Sequence, residues 1–167
     1  MLKIAKTVTA KPNKQTPLLS AFFLFILLIS PVHPSWAQAA DTNMTENETI
    51  IREFVAAWSN LDADELATYF TEDGTYYNMP TQPISGRENV RDFIANFMRP
   101  WESTEWEILN LLVEGDIVMV ERVDHTVALG NNIDLPCLGY FLMEDGKIKM
   151  WRDYFDLATY TSALSPQ

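Results

Sequence analysis

The sequence predicts an α+β domain, with helices first and a curved antiparallel sheet after them. Apolar residues recur at helical spacing from Thr49 onward and again from Val90 to Phe97. Beyond residue 104 the pattern changes to strand-like alternation, and Gly115, Gly130 and Asp145-Gly146 mark turns between the runs. Such an order favours a cone whose sheet wraps around a deep pocket closed by three to four N-terminal helices.

The chain has 167 residues, and the first 39 read as a cleavable secretory leader. Lys3, Lys6, Lys11 and Lys14 precede an apolar run over 18–29, which is short for a membrane span. Ala37-Gln38-Ala39 supplies the small-x-small cleavage pattern, with cut sites after Ala39 or after Ala37. No cysteine follows the run, which excludes a lipoprotein anchor; an uncleaved N-terminal anchor is the alternative. The expectation is therefore an exported protein, periplasmic or secreted, with no stable membrane insertion after cleavage. Residues 40–48 are polar and read as a flexible start, leaving 49–167 as one domain. The leader carries four of the 12 lysines and arginines and none of the 23 acids, so its loss takes the net charge from −11 to −15. A surface this acidic argues against nucleic acid and anionic membranes as partners. Cys137 is the single cysteine, so no intrachain disulfide forms.

Taken in order, Ile50, Ile51, Phe54, Val55, Ala57, Trp58 and Leu61 form one helical face. A short helix follows Asp62, with Glu65 as its capping-box partner, and turns Leu66, Tyr69 and Phe70 inward. Thr71-Glu72-Asp73-Gly74 reads as a turn, and 75–79 as a short strand ended by Pro80 and Pro83. Ser85-Gly86-Arg87-Glu88 reads as a second capping box opening a helix that runs to Pro100. Strands are expected over 105–113, 117–129, 135–143 and 148–155.

Alternation along those strands groups the polar residues that matter. In 117–129, Val118, Val120, Arg122, Asp124 and Thr126 share a face, and the two valines turn it inward. In 75–79, Tyr76 and Asn78 share a face. In 148–155, Lys149, Trp151, Asp153 and Phe155 share one. An aspartate between a tryptophan and a phenylalanine is costly in a dry core, so Asp153 needs a partner. An Arg/Asp pair two apart on a strand is by itself an ordinary ion pair.

Three separated blocks give these residues a common meaning: Tyr76-Tyr77-Asn78-Met79-Pro80, Glu121-Arg122-Val123-Asp124 and Trp151-Arg152-Asp153-Tyr154-Phe155-Asp156-Leu157. With Ser85-Gly86-Arg87, Leu138-Gly139-Tyr140-Phe141 and Gly146-Lys147-Ile148, they make the chain resemble the limonene-1,2-epoxide hydrolase family across the whole expected mature domain. The resemblance implies an NTF2-like or SnoaL-like cone, a homodimer, and hydrolysis of an epoxide to a vicinal diol with no cofactor, metal or covalent intermediate. It places the family's Asp-Arg-Asp unit on Asp124, Arg122 and Asp153, and its water-holding pair on Tyr76 and Asn78.

Opening an epoxide with water needs a base for the water and an acid for the departing oxygen. Asp153 is expected to be the base and Asp124 the acid, with Arg122 tying them together. Face parity puts Val118, Val120, Thr126, Leu135, Cys137, Trp151 and Phe155 around the substrate, with Phe93 and Phe97 closing the top. That lining suits a lipophilic, terpene-like or alicyclic epoxide. The same carboxylates could serve a SnoaL-like isomerase or an epoxide-opening cyclase, and a non-catalytic lipophile-binding module is the reading from outside enzymology. His125 falls on the face opposite Asp124, and His33 leaves with the leader. With no clustered Cys or His, a zinc site is not expected.

Overall fold

The computed structural model describes residues 35–164, with side chains from residue 46 onward. The leader run over 18–29 lies outside the described residues, and among those described no helix is long and apolar enough to cross a membrane. Helix α1 (Ser35–Ala57) begins well before the apolar periodicity does, so the stretch expected to be flexible is helical and so is Ala37-Gln38-Ala39. No glycine or proline interrupts 35–57, so nothing in that stretch stops the helix.

A 3₁₀ turn (Trp58–Asn60) leads to α2 (Ala63–Ala67), capped by Asp62, whose carboxylate accepts from the Asp64 and Glu65 amides. Strand β1 (Phe70–Asn78) starts earlier than expected. Thr71-Glu72-Asp73-Gly74, read from sequence as a turn, is a bulge within that strand: the register with its partner shifts between Phe70 and Thr75. After β2 (Ile84–Ser85), α3 (Arg87–Met98) opens without the expected capping box. Gly86 holds the cap position at φ 92°, and the Ser85 hydroxyl pairs with Thr75 instead.

Four long strands follow: β3 (Trp101–Glu114), β4 (Ile117–Ala128), β5 (Asn131–Glu144) and β6 (Lys147–Phe155). A short helix, α4 (Leu157–Ala163), ends the described chain and is absent from the sequence reading. Its start is marked by Asp156, which accepts from the Ala158 amide and the Thr159 hydroxyl.

The six strands form one curved sheet in the order β2-β1-β6-β5-β4-β3. All pairings are antiparallel except β1 with β6, so the sheet is mixed. β4 alternates as read from sequence, with Val118, Val120, Arg122, Asp124 and Thr126 buried. β6 departs from it once. A register shift opposite Leu142 and Met143 buries Ile148 and turns Lys149 outward, where it pairs with Asp73 and Glu144.

The inner face of the sheet packs on the helices through aromatic rings. Phe54 and Trp58 from the helical side meet Trp151 at 5.2 and 5.8 Å between centroids. Trp151 in turn stacks on Tyr76 and Phe141. The core therefore ends in a flat aromatic floor, and the polar site stands on it.

Candidate active site

Register brings the three sequence blocks together. β6 lies between β1 and β5, so Asp153 pairs with Asn78 on one side and Gly139 on the other. β4 lies beyond β5 and sets Arg122 opposite Cys137 and Asp124 opposite Leu135. Arg122, Asp124 and Asp153 are buried, at 0%, 5% and 3% exposure.

Arg122 joins the two carboxylates by four hydrogen bonds. Its Nε and Nη2 donate to Asp124 Oδ1 and Oδ2 at 2.7 and 3.1 Å. Its Nη1 and Nη2 donate to Asp153 Oδ1 and Oδ2 at 2.9 and 2.8 Å. A planar fork with fixed donors can give both acids two bonds each, which an ammonium with three donors could not. Burial alone would lower the Arg122 pKa, but the two carboxylates outweigh it and hold the guanidinium firmly protonated.

One positive charge cannot fully compensate two buried negative ones. Asp124 shows the consequence: burial, with the charge of Asp153 added, pushes its pKa up to about 6 against the pull of Arg122. The coupled pair thus holds a proton at mildly acidic pH. Burial, reinforced by Asp153, also keeps the Tyr76 phenol protonated well beyond its ordinary range.

Tyr76 and Asn78 are both buried on the same side of β1 as the acids. Asn78 Oδ1 has no hydrogen-bond partner among the described residues. A buried amide oxygen in that state calls for a donor such as water. The hollow enclosed by Tyr76, Asn78, Asp124 and Asp153 has a volume of about 10 Å³, room for about one water.

The wall differs in part from the sequence expectation. Thr126, Leu135 and Phe155 line the hollow, as does Phe97 from α3. Val118, Val120 and Trp151 are packed in the core away from it. Cys137 faces Asp124, to which its thiol donates at 3.3 Å. Phe93 packs edge-on against Tyr76. The residues that the sequence reading missed are Trp101, Trp106, Ile133 and Tyr160. Trp106 lies against the Arg122 guanidinium, with Cζ 4.2 Å from its ring centroid, and its indole donates to Thr104. Alternation could have found it, since Thr104 and Trp106 share a parity; nothing local announces Tyr160, whose hydroxyl accepts from the Trp101 indole at 3.0 Å.

Asp124, Cys137 and Asp153 bring potential metal-binding atoms within 4.8 Å of one another. All four carboxylate oxygens accept from Arg122, so a cation there would share its ligands with a guanidinium whose positive charge repels it. His125 stands on the outer face, bonded to Asp134, away from this chemistry.

Residues 51–151, most of the domain, match the profile of the SnoaL-like domain. The chain belongs to the SnoaL-like domain family. Among its relatives is the epoxide hydrolase EphG of Mycobacterium tuberculosis (strain ATCC 25618 / H37Rv), 27% identical over 107 residues, which is 64% of this chain and 71% of that one. An M. tuberculosis LEH-like epoxide hydrolase superposes with a TM-score of 0.64 at 25% identity, covering 72% of this chain and 91% of that one. A phenazine biosynthesis-related protein from Pseudomonas aeruginosa gives a TM-score of 0.68 at 19% identity, covering 78% and 94%, and this likeness is one of fold alone. The architecture is thus the NTF2-like, SnoaL-like one expected from the sequence.

Proposed function

We propose that this SnoaL-like protein is an epoxide hydrolase of the limonene-1,2-epoxide hydrolase type, adding water to a lipophilic epoxide to give a vicinal diol. The observation that carries the proposal is the buried fork in which Arg122 holds Asp124 and Asp153 around a hollow with one unpaired amide oxygen. The similarity to EphG and to the LEH-like hydrolase supports the same reading.

In this reading Asn78 and Tyr76 hold the water. Asp153 removes its proton as the oxygen attacks an epoxide carbon, and the C–O bond to the ring oxygen breaks. Asp124 gives its proton to that oxygen, so the diol leaves neutral and the pair keeps its total of one proton. A proton then passes from Asp153 back to Asp124, or through solvent, before the next turnover. Arg122 stays charged throughout and limits the repulsion when both acids share the site.

Substrate must displace part of the aromatic wall, because the hollow in its present closed form has only about 10 Å³. In this reading the part that gives way is Tyr160 on α4 and Phe97 near the end of α3, which lie outside the hydrogen-bonded sheet. The remaining wall of Leu135, Ile133 and Phe155 suits a terpene-like or alicyclic skeleton.

The homodimer has a candidate face. Leu109, Leu112, Met119, Leu138 and Tyr154 are exposed together on the outside of the sheet. On a chain of net charge −11, two copies meet with least repulsion on such an apolar patch. Light scattering of the wild type and of Leu112→Glu distinguishes a dimer on this face from a monomer. Export remains part of the proposal, and mass measurement of the secreted or periplasmic form tests cleavage after Ala39 or Ala37.

Turnover in ¹⁸O-labelled water decides the reaction. A diol carrying one labelled oxygen supports hydrolysis; an unlabelled cyclic ether or rearranged isomer means a cyclase or isomerase. Stoichiometric binding of epoxides with no product means a lipophile-binding module.

A further inference from the structure

Cys137 carries an inference that rests on Asp124 being the acid of the proposed hydrolysis. The cysteine is buried, at 5% exposure, on the strand between those of the two acids. Its Sγ donates to Asp124 Oδ2, which also accepts from Arg122 Nη2. Among the described residues, Asp124 Oδ1 accepts from Arg122 Nε alone. A carboxylate oxygen offers about two acceptor positions, so Oδ2 is filled and Oδ1 keeps one open.

We propose that Cys137 is a positioning residue for this acid: its thiol occupies the second acceptor position of Oδ2 and confines the transferable proton of Asp124 to Oδ1. The thiol suits that task because burial and the neighbouring Asp124 carboxylate raise its pKa well beyond its ordinary range, so it remains a donor and not a nucleophile. Without the donor, Oδ2 would compete for the proton, and a fraction of the acid would present it towards β5. The other groups acting on Asp124 are Arg122 from its own strand, Asp153 from β6 and the Tyr76 phenol from β1. None of them bonds the second position of Oδ2.

A donor to the ionised carboxylate also favours ionisation, so its loss raises the Asp124 pKa. The shift expected for one modest hydrogen bond is about 0.5 unit. The test compares Cys137→Ala, which removes the donor, with Cys137→Ser, which restores one. The Asp124 titration is followed by ¹³C NMR of aspartate-labelled protein, the resonance being assigned with Asp124→Asn, and the alkaline limb of the turnover–pH profile is followed in parallel. The Ala variant is expected to move the NMR midpoint up and the alkaline limb with it, while the Ser variant leaves both near wild type. An unmoved midpoint in the Ala variant, or equal shifts in Ala and Ser, overturns the role of Cys137. If the wild type forms no diol at any pH, the hydrolase reading fails, and the NMR midpoints alone still decide whether the thiol controls Asp124.

Discussion

Gly139 stands so close to Arg122 and Phe141 that a methyl group there would have to move one of the two. A Cβ built at Gly139 would lie 3.0 Å from Arg122 Nη1 and 2.7 Å from the Phe141 ring. Phe141 is itself stacked on Trp151, so it cannot withdraw freely. Gly139→Ala should therefore push the guanidinium off Asp153. Its expected cost is about 1–3 kcal/mol of stability, as for other overpacked cores, with a fall in turnover larger than that loss explains. Denaturant unfolding alongside kcat/KM checks the split.

Asp124→Asn and Asp153→Asn should each fold and each lose about 10²–10⁴-fold in turnover, the usual contribution of one proton-transferring group. Circular dichroism and steady-state kinetics on both variants measure this. Near-wild-type turnover in either one would overturn the acid and base roles.

With Asp124 as the proposed acid, the rate should fall as pH rises through about 6, where that carboxyl loses its proton. The sign for stability runs the same way. Asp124 has a folded-state pKa raised above its ordinary value of 3.8, so its contribution is fully present below that value and lost as pH rises to about 6. A turnover–pH profile with its alkaline midpoint absent from the range 5–7 would contradict this assignment.

Trp106→Leu should weaken turnover while leaving substrate binding less affected, because the ring steadies Arg122 and not the reacting atoms. A cation–π contact of this kind contributes about 0.5–2 kcal/mol, and the loss of kcat should be about tenfold. Trp106→Phe, which keeps an aromatic face, should recover most of it.

Tyr160→Ala removes a ring from the hollow and the acceptor for the Trp101 indole. Bulkier epoxides should then be accepted, at higher kcat/KM relative to small ones than in the wild type. A substrate panel compared between the two proteins tests this, and an unchanged preference order would mean that α4 does not limit substrate size.

The sequence made β4 legible because its alternation is unbroken: Arg122, Asp124 and Thr126 lie where period two puts them. Asp153 was legible through its cost, an acid between two aromatic residues that had to find a cation. The bulges were not. Thr71-Glu72-Asp73-Gly74 has the composition of a turn, and only the parallel partner strand makes it part of β1. Lys149 lost its expected place for the same reason, one extra residue shifting the parity of β6. Cys137 was read as facing substrate, since parity gives a face but not which neighbour a side chain meets. Trp101 and Tyr160 were missed because their meeting depends on α4 folding back over the sheet, a contact without a local pattern.

The lone parallel pairing, β1 with β6, joins the start of the sheet to its end, with Asn78 beside Asp153. Because β6 sits between β1 and β5, a ribosome must release nearly the whole domain before the sheet's two parts can be bridged. Every earlier nascent chain is without Asp153 and exposes two unsatisfied strand edges. Cells making this protein thus have a window in which it needs shielding from its neighbours, and truncation before Phe155 should produce an aggregating chain instead of a weaker catalyst.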